Sequence, residues 1–155
     1  MSAATGPVRA VRRRWWRWCC LALVVLAAYP AFVLGSVYVA TSRSDLPGGR
    51  HGPKDAYRHA LASATVAYTG SSRWVDWVTA VMERDGRGDA ARAMDARNNR
   101  IGARIGAAAA SWNEMNAAVL RAVQAGGVAA EVEGTGTDSD RITWLPSERW
   151  QDRWY

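Results

Sequence analysis

The chain has few side chains with intrinsic chemical reactivity. Two of its 155 residues are cysteine, Cys19 and Cys20, and two are histidine, His51 and His59. Everything after Cys20 therefore lacks a disulfide, a thiolate nucleophile and a thiolate metal ligand. Three familiar signatures are also absent: the His-Glu-x-x-His zinc helix, the Gly-x-Ser-x-Gly nucleophile turn and the phosphate-binding glycine loop. These absences exclude the commonest sequence-recognisable protease, esterase and nucleotide-binding sites.

Beyond the N-terminal segment, the chain has no large excess of positive or negative charge. The formal net charge is +6, but five of the 20 basic residues lie in residues 1–17. Residues 18–155 carry 15 basic and 14 acidic side chains, so this part of the chain is nearly neutral. It lacks the electrostatic footprint of a nucleic-acid-binding protein. We therefore expect no nucleic-acid partner, and we attribute the arginine cluster to membrane topology and to anionic lipid headgroups.

One long apolar run is present. Residues 18–42 are uncharged and directly follow the basic, tryptophan-containing cluster at residues 12–17. As a helix, the apolar body over residues 19–40 would rise about 33 Å, enough to cross a hydrocarbon core of roughly 30 Å. An isolated span must satisfy its backbone hydrogen bonds internally, which requires a helix. The sequence therefore predicts a single-pass transmembrane anchor with membrane lipid as its first partner.

Arginine placement predicts the orientation of this anchor. Residues 1–17 carry five arginines and no acid, whereas the 17 residues after Ala40 carry three basic side chains. The positive-inside rule then places the N-terminus in the cytoplasm and the following domain outside the inner membrane of a bacterium. Cleavage as a signal peptide is the alternative, because the small residues Ala28 and Ala31 lie around the proline of the run. The apolar run, however, exceeds the 7–15 residues usual for the apolar region of such a peptide.

The remaining sequence predicts a mainly α protein with one small domain. We expect a basic cytoplasmic segment over residues 1–17, a transmembrane anchor over residues 18–41 and a polar Gly/Pro-rich linker over residues 42–54. A helical domain of three to four helices is expected over residues 55–125. Residues 126–155 are expected to form a loop followed by a short extended, Trp-containing C-terminal segment. At about 110 residues the exported part can bury one modest core.

Apolar periodicity places the individual helices. Helical spacing predicts helices over residues 55–68, 72–84 and 101–125, with a further helix beginning at Asp89. We expect the Asn98-Asn99 pair and Gly102 to interrupt or bend the chain between the last two. Residues 141–145 are expected to be extended, and the segment after Pro146 to form a last short helical turn.

A first polar cluster opens the helix at residue 55. Asp55 lies one turn before Arg58 and His59, so the three side chains share a helix face. A carboxylate one turn from an imidazole can orient the ring and raise its basicity, as general-base chemistry requires. The structural alternative is that Asp55 complements the helix dipole and pairs with Arg58, with His59 hydrogen-bonded and half-buried.

A second polar cluster contains Asp95, Asn98 and Asn99, which lie within four residues of one another. Such groups can bind a hard cation, a phosphate or a carbonyl oxygen. Alternatively, the asparagines satisfy backbone groups freed at a helix break. We predict no cofactor, with a divalent cation at Asp95 and Asn99 as the alternative. Glu83 is a candidate third contributor to the site, whereas His51 is expected to be a solvated linker residue.

The segments at residues 52–60 and 94–102 together resemble an uncharacterised bacterial domain family. Its pattern is Asp-Ala-aromatic-Arg-His-Ala, then an acidic residue, then Met-Asp-x-x-Asn-Asn-x-x-Gly, and its members occur on exported, membrane-anchored and toxin-like proteins. The resemblance covers roughly residues 50–125 and implies no particular reaction. Arg97 stands where the family often has histidine, which weakens a metal-site or His-dyad interpretation. The resemblance implies a shared site formed by Asp55, Arg58, His59, Glu83, Asp95, Asn98 and Asn99.

Two functional hypotheses follow. The first is a non-catalytic accessory or interaction module of the bacterial envelope, with an envelope protein as its candidate partner and its polar residues specifying helix packing. The alternative is a membrane-tethered hydrolase, with His59 as general base oriented by Asp55, Asp95 and Asn99 positioning substrate or a cation, and Arg58 holding an anionic group. The hydrolase requires His59 to lie within reach of Asp95 or Asn99.

Overall fold

The computed structural model describes residues 7–70, 89–129 and 141–151. The chain forms two compact units, Met1–Gly35 and Ser36–Tyr155. The helix expected over residues 72–84, together with Glu83, lies outside the described residues. The described elements are α1 (Pro7–Ser42), α2 (Pro53–Thr69), α3 (Asp89–Ala108), α4 (Trp112–Gln124), the two-residue strands β1 (Gly127–Val128) and β2 (Thr143–Trp144), and a 3₁₀ turn (Ser147–Arg149). The prediction of a mainly helical protein with a short C-terminal segment is confirmed.

The first unit consists of the greater part of α1. Within this helix, residues Trp15–Ser42 are long and apolar enough to cross a membrane by length and composition, a property shared by signal sequences and by core helices of soluble proteins. Pro30 lies inside the helix without ending it. Many large apolar side chains of this unit are exposed: Trp15, Trp16, Trp18, Leu21, Leu23, Val24, Tyr29, Phe32 and Leu34.

The second unit begins inside α1, several residues before the predicted end of the anchor. Val37 is 3% exposed and Thr41 is 1% exposed, and their i, i+4 spacing places both on one face of the helix. The last two turns of α1 therefore belong to the helical domain. The helix continues through residue 41, where the sequence predicted the end of the anchor, and ends at Ser42.

The segment expected to be a polar linker, residues 42–54, is held in the fold at several points. Arg50 and Gln151 form an antiparallel bridge, with N–H···O distances of 2.8 and 3.1 Å. The backbone N–H of Leu145 donates to the carbonyl oxygen of His51 at 2.9 Å. His51 is half-buried with a positive φ of 68°, so the expectation of a solvated linker histidine is wrong.

Glycines in this segment make room for Trp150. A Cβ on Gly48 would lie 2.8 Å from the Trp150 ring, and one on Gly52 would lie 3.2 Å from it. Gly48 also has a positive φ of 79°, which glycine adopts without steric cost. The indole N–H of Trp150 donates to the carbonyl of Leu145 at 2.6 Å. The glycines therefore allow the segment to pack closely against Trp150.

Small residues set the distance between α2 and α3. A Cβ on Gly102 would lie 2.7 Å from the Cα of Ala60, and one on Gly106 would lie 2.7 Å from the Cα of Ala64. From the first contact to the second, the residue number rises by four in both helices, so α2 and α3 run in the same direction. Gly102, which was expected to interrupt a helix, instead lies within a continuous α3 and allows its backbone to approach α2 closely.

The actual helix break falls at residues 109–111. Ser111 is the N-cap of α4, because its Oγ accepts the Glu114 backbone N–H at 3.2 Å. The Glu114 carboxylate in turn accepts the Ala110 backbone N–H at 3.0 Å, which makes the arrangement close to a capping box. The single helix expected over residues 101–125 is therefore two helices. Ser-Trp-Asn-Glu at 111–114 is the sequence signal for this start.

In the described part of the second unit, α2 and α4 share a core with the C-terminal segment. Tyr68 of α2 and Trp112 of α4 meet edge to face at 5.9 Å. Strands β1 and β2 pair in parallel, with Gly127 opposite Thr143, so the extended C-terminal segment is observed as expected. The innermost side chains of this core are Ala60, Leu61, Ala64, Met115, Val119, Val123 and Ile142, each at most 1% exposed.

Candidate functional site

The first turns of α2 present Asp55, Arg58 and His59 on one face. Pro53 begins the helix, where its missing N–H costs nothing. Asp55 Oδ2 accepts the backbone N–H of His51 at 2.7 Å, and Arg58 Nη2 donates to Asp55 Oδ1. The Asp55 side chain is 3% exposed, whereas that of Arg58 is 33% exposed. The carboxylate is thus fixed from two sides, and the arginine reaches it from the surface.

The packing of α3 on α2 brings Asp95 to the same point. His59 Nε2 lies 3.6 Å from Asp55 Oδ1 and 3.8 Å from Asp95 Oδ1. We call these three residues the Asp–His–Asp centre. Residues 59 and 95 are far apart in sequence, so the centre exists because of the close α2–α3 contact. The approach of His59 to Asp95, which the hydrolase hypothesis required, is present, whereas Asn99 is engaged elsewhere.

The imidazole nitrogen of this centre lies in an unusual environment. His59 Nε2 is buried and has no hydrogen-bond partner. Its two nearest carboxylate oxygens lie beyond the 2.7–3.2 Å range of ordinary N–H···O bonds. The side chains of Asp55 and Asp95 are 3% and 5% exposed, and that of His59 is 16% exposed. A buried polar atom without a partner costs free energy, so this nitrogen marks a position where a ligand would be stabilising.

Asn98 serves the fold. It is fully buried, its Nδ2 donates to the Thr143 carbonyl at 2.8 Å, and its Oδ1 accepts the Thr143 backbone N–H at 3.0 Å. The side-chain amide of Asn98 therefore bonds both backbone groups of Thr143 in β2, as the backbone of a neighbouring strand would. This contact fastens the C-terminal segment to α3, and we assign Asn98 a structural role.

Asn99 forms a second link between the helices. Its Oδ1 accepts the hydroxyl of Ser63 on α2 at 3.1 Å. A metal-compatible group whose ligand atoms all lie within 4.8 Å of one another instead contains Asp55, His59 and Asp95. This group shares Asp95 with the cation site considered at Asp95 and Asn99.

Several residues of this region were not identified from the sequence. Ser63 lies four residues after His59, on the same face of α2, and this spacing was an available signal. Thr143 and the His51 backbone carried no signal, because their contacts depend on the backbone and on the tertiary arrangement. Glu83 lies outside the described residues. Of the remaining expected site residues, the structure brings together Asp55, Arg58, His59 and Asp95, and it places Asn98 and Asn99 in adjacent structural contacts.

The chain belongs to the family of the domain of unknown function DUF6973, which matches residues 19–126. The expectation that it contains an uncharacterised domain is thereby confirmed, over a longer stretch than residues 50–125. No curated protein and no solved structure matches the chain.

Proposed function

We propose that this chain is a single-pass protein of the bacterial inner membrane, with a cytoplasmic N-terminus and an extracytoplasmic helical domain. The observation that carries the proposal is the row of exposed large apolar side chains on α1, among them Leu21 at 54%, Leu23 at 65% and Val24 at 63%. Soluble monomers rarely expose contiguous apolar surface on this scale. The five arginines before residue 18 support the orientation.

Two further observations favour an uncleaved anchor over a signal peptide. The family match begins at residue 19 and includes both the apolar helix and the helical domain. The second compact unit begins at Ser36, inside α1. Cleavage near residues 28–31 would therefore cut α1 only a few residues before the folded domain and leave exposed apolar side chains such as Leu34 at the new N-terminus.

Fractionation of the full-length chain, produced in a bacterium with a C-terminal tag, tests the anchoring. We expect the intact mass to be the full 16.9 kDa plus the tag, the protein to resist extraction by alkaline carbonate, and the tag to be accessible only from outside the inner membrane. As a matched variant, replacing Arg12, Arg13 and Arg14 with asparagine is expected to weaken the orientation bias. A shortened or soluble product contradicts the anchor, and a cytoplasmic tag contradicts the orientation.

We further propose that the exported domain is a non-catalytic accessory or interaction module. Three polar residues of the candidate site hold the fold together: Asn98 binds Thr143, Asn99 binds Ser63, and Asp55 binds the His51 backbone. Among the described hydrogen bonds, none joins His59 to a hydroxyl or thiol that it could activate. These features favour a stable binding surface over an acyl-transfer site.

The second candidate, a membrane-tethered hydrolase acting on an envelope substrate, is favoured by one observation. His59 lies within 4 Å of two carboxylates contributed by different helices. However, Nε2 points between these carboxylates, whereas a general base directs one ring nitrogen at the substrate.

Turnover assays on lipid, peptidoglycan and peptide substrates separate the two candidates, with the full-length protein in nanodiscs and His59→Gln as the matched control. We expect no turnover above that control. Turnover that is lost in His59→Gln would establish the hydrolase instead.

A further inference from the structure

We propose that the Asp–His–Asp centre binds a divalent transition-metal ion, such as Zn²⁺ or Mn²⁺, between α2 and α3. The inference goes beyond the proposed function, which needs no metal. It rests on three independent features of the centre: the spacing of its ligand atoms, the burial of its nitrogen and the chemistry of its donor set.

The spacing fits shared coordination better than direct hydrogen bonding. Two ligands held 2.0–2.2 Å from one ion lie about 3.4 Å apart in a tetrahedral site and about 3.0 Å apart in an octahedral one. The observed separations of His59 Nε2 from the Asp55 and Asp95 oxygens are 3.6 and 3.8 Å. All three ligand atoms lie within 4.8 Å of one another, so no pair has to approach by more than about 1.4 Å to reach the tetrahedral spacing.

Burial supplies the second argument. His59 Nε2 has no hydrogen-bond partner in the interior, and both neighbouring carboxylates are at least nine-tenths buried. Buried charges are normally paired or coordinate metals. A bound cation would take the lone pair of the neutral imidazole and offset the negative charge of both carboxylates.

The donor set selects the class of metal. One imidazole nitrogen and two carboxylate oxygens are typical of zinc and of related transition metals, whereas Ca²⁺ takes six to eight oxygen ligands and Mg²⁺ retains several waters. Three protein ligands also leave at least one coordination position for water or for a group on a binding partner. We therefore expect selectivity for Zn²⁺ or Mn²⁺ over Ca²⁺ and Mg²⁺.

His51 and Arg58 both bond to Asp55 and would affect metal binding in opposite ways. The backbone N–H of His51 holds Asp55 Oδ2, which leaves Oδ1 directed toward His59 and thus orients the ligand. Arg58 donates to that same Oδ1, so its guanidinium competes with a cation for this oxygen. Because Arg58 is 33% exposed, it can withdraw into solvent when the ion binds. Removing its charge should tighten metal binding.

Calorimetric titration of the metal-stripped, full-length protein in detergent micelles tests the site, with Zn²⁺, Mn²⁺, Ca²⁺ and Mg²⁺ as separate probes. We expect about one Zn²⁺ or Mn²⁺ per chain, with Asp95→Asn and His59→Gln weakening binding on the order of 100-fold or more. Arg58→Gln should tighten it several-fold. Glu148→Gln is the matched control, since it removes an exposed carboxylate outside the centre, and it should bind like the wild type.

The outcome that overturns the proposal is equally specific. Absence of binding at millimolar metal, or binding that persists unchanged in both His59→Gln and Asp95→Asn, shows that the centre is not a metal site. If these variants fail to fold by circular dichroism, Co²⁺ added to the wild-type protein replaces them. A visible absorption band that Zn²⁺ abolishes supports the site, and the absence of such a band refutes it. Neither result bears on membrane anchoring, which is tested by fractionation.

Discussion

Replacing Gly102 with alanine tests the contact that builds the centre. The added methyl would lie 2.7 Å from both the carbonyl carbon and the Cα of Ala60, and closer still to the carbonyl oxygen. All three atoms are backbone, so no flexible side chain can move aside. Relief of the overlap requires α2 and α3 to separate, which also moves Asp95 away from His59.

The magnitude follows from two opposing terms. Overpacking of this kind costs about 3 kcal/mol at the upper end of its usual range, whereas alanine in place of glycine in a helix gains about 1 kcal/mol. The free energy of unfolding should therefore fall by about 2 kcal/mol. Gly35→Ala in α1 is the matched control, because a Cβ there meets nothing within 4 Å, and it should leave the unfolding of the helical domain unchanged.

The assay is urea unfolding of the full-length protein in micelles, followed by circular dichroism and tryptophan fluorescence. A lower midpoint for Gly102→Ala, with an unchanged midpoint for Gly35→Ala, is the expected result. Equal or greater stability of Gly102→Ala would refute the argument, because helix propensity alone predicts a gain.

Three further predictions concern the second unit. Asn98→Ala should lower the free energy of unfolding by about 3 kcal/mol, because two buried backbone groups of Thr143 lose their partners. Hydrogen exchange should show early loss of protection at the Thr143 amide, and unchanged exchange would contradict this prediction. Ser111→Ala should cost about 1 kcal/mol through loss of the α4 cap, measurable by thermal unfolding, and an unchanged midpoint would argue against the cap. Burial raises the pKa of the Tyr57 phenol above its ordinary value of 10.0, so the unfolded chain releases this proton first as pH rises. The free energy of unfolding should therefore fall above about pH 10 by up to about 1.4 kcal/mol per pH unit, and Tyr57→Phe should remove that part of the slope in urea titrations across pH 9–12.

The helices could be predicted where local pattern and tertiary role agree. The alanine spacing of α2 and the apolar stripe of Met115, Val119 and Val123 in α4 correspond to buried faces. The prediction failed at Gly102, because glycine within a helix signals either a break or a close approach, and only the neighbouring helix decides which. The capping signal at Ser111 and Glu114 was present, but an alanine-rich context favoured continuous helix.

Only the part of the candidate site that lies within one helix could be predicted from the sequence. The Asp55–His59 spacing is a property of one helix and is visible in the sequence. The addition of Asp95, and the use of Asn98 by Thr143, depend on how α2, α3 and β2 are placed against one another, which no local pattern specifies. At residues 42–54, glycine makes room for Trp150 and the backbone pairs with Gln151, contacts that composition does not reveal.

Nitrogen-15 NMR of histidine-labelled, full-length protein tests the central claim most directly, because the chain has two histidines, His51 and His59. The account predicts that one equivalent of Zn²⁺ shifts a single Nε2 resonance to the metal-bound range, and that this resonance survives His51→Asn. A resonance that remains at its free position under saturating Zn²⁺, or a shift confined to His51, would contradict a metal centre formed by Asp55, His59 and Asp95.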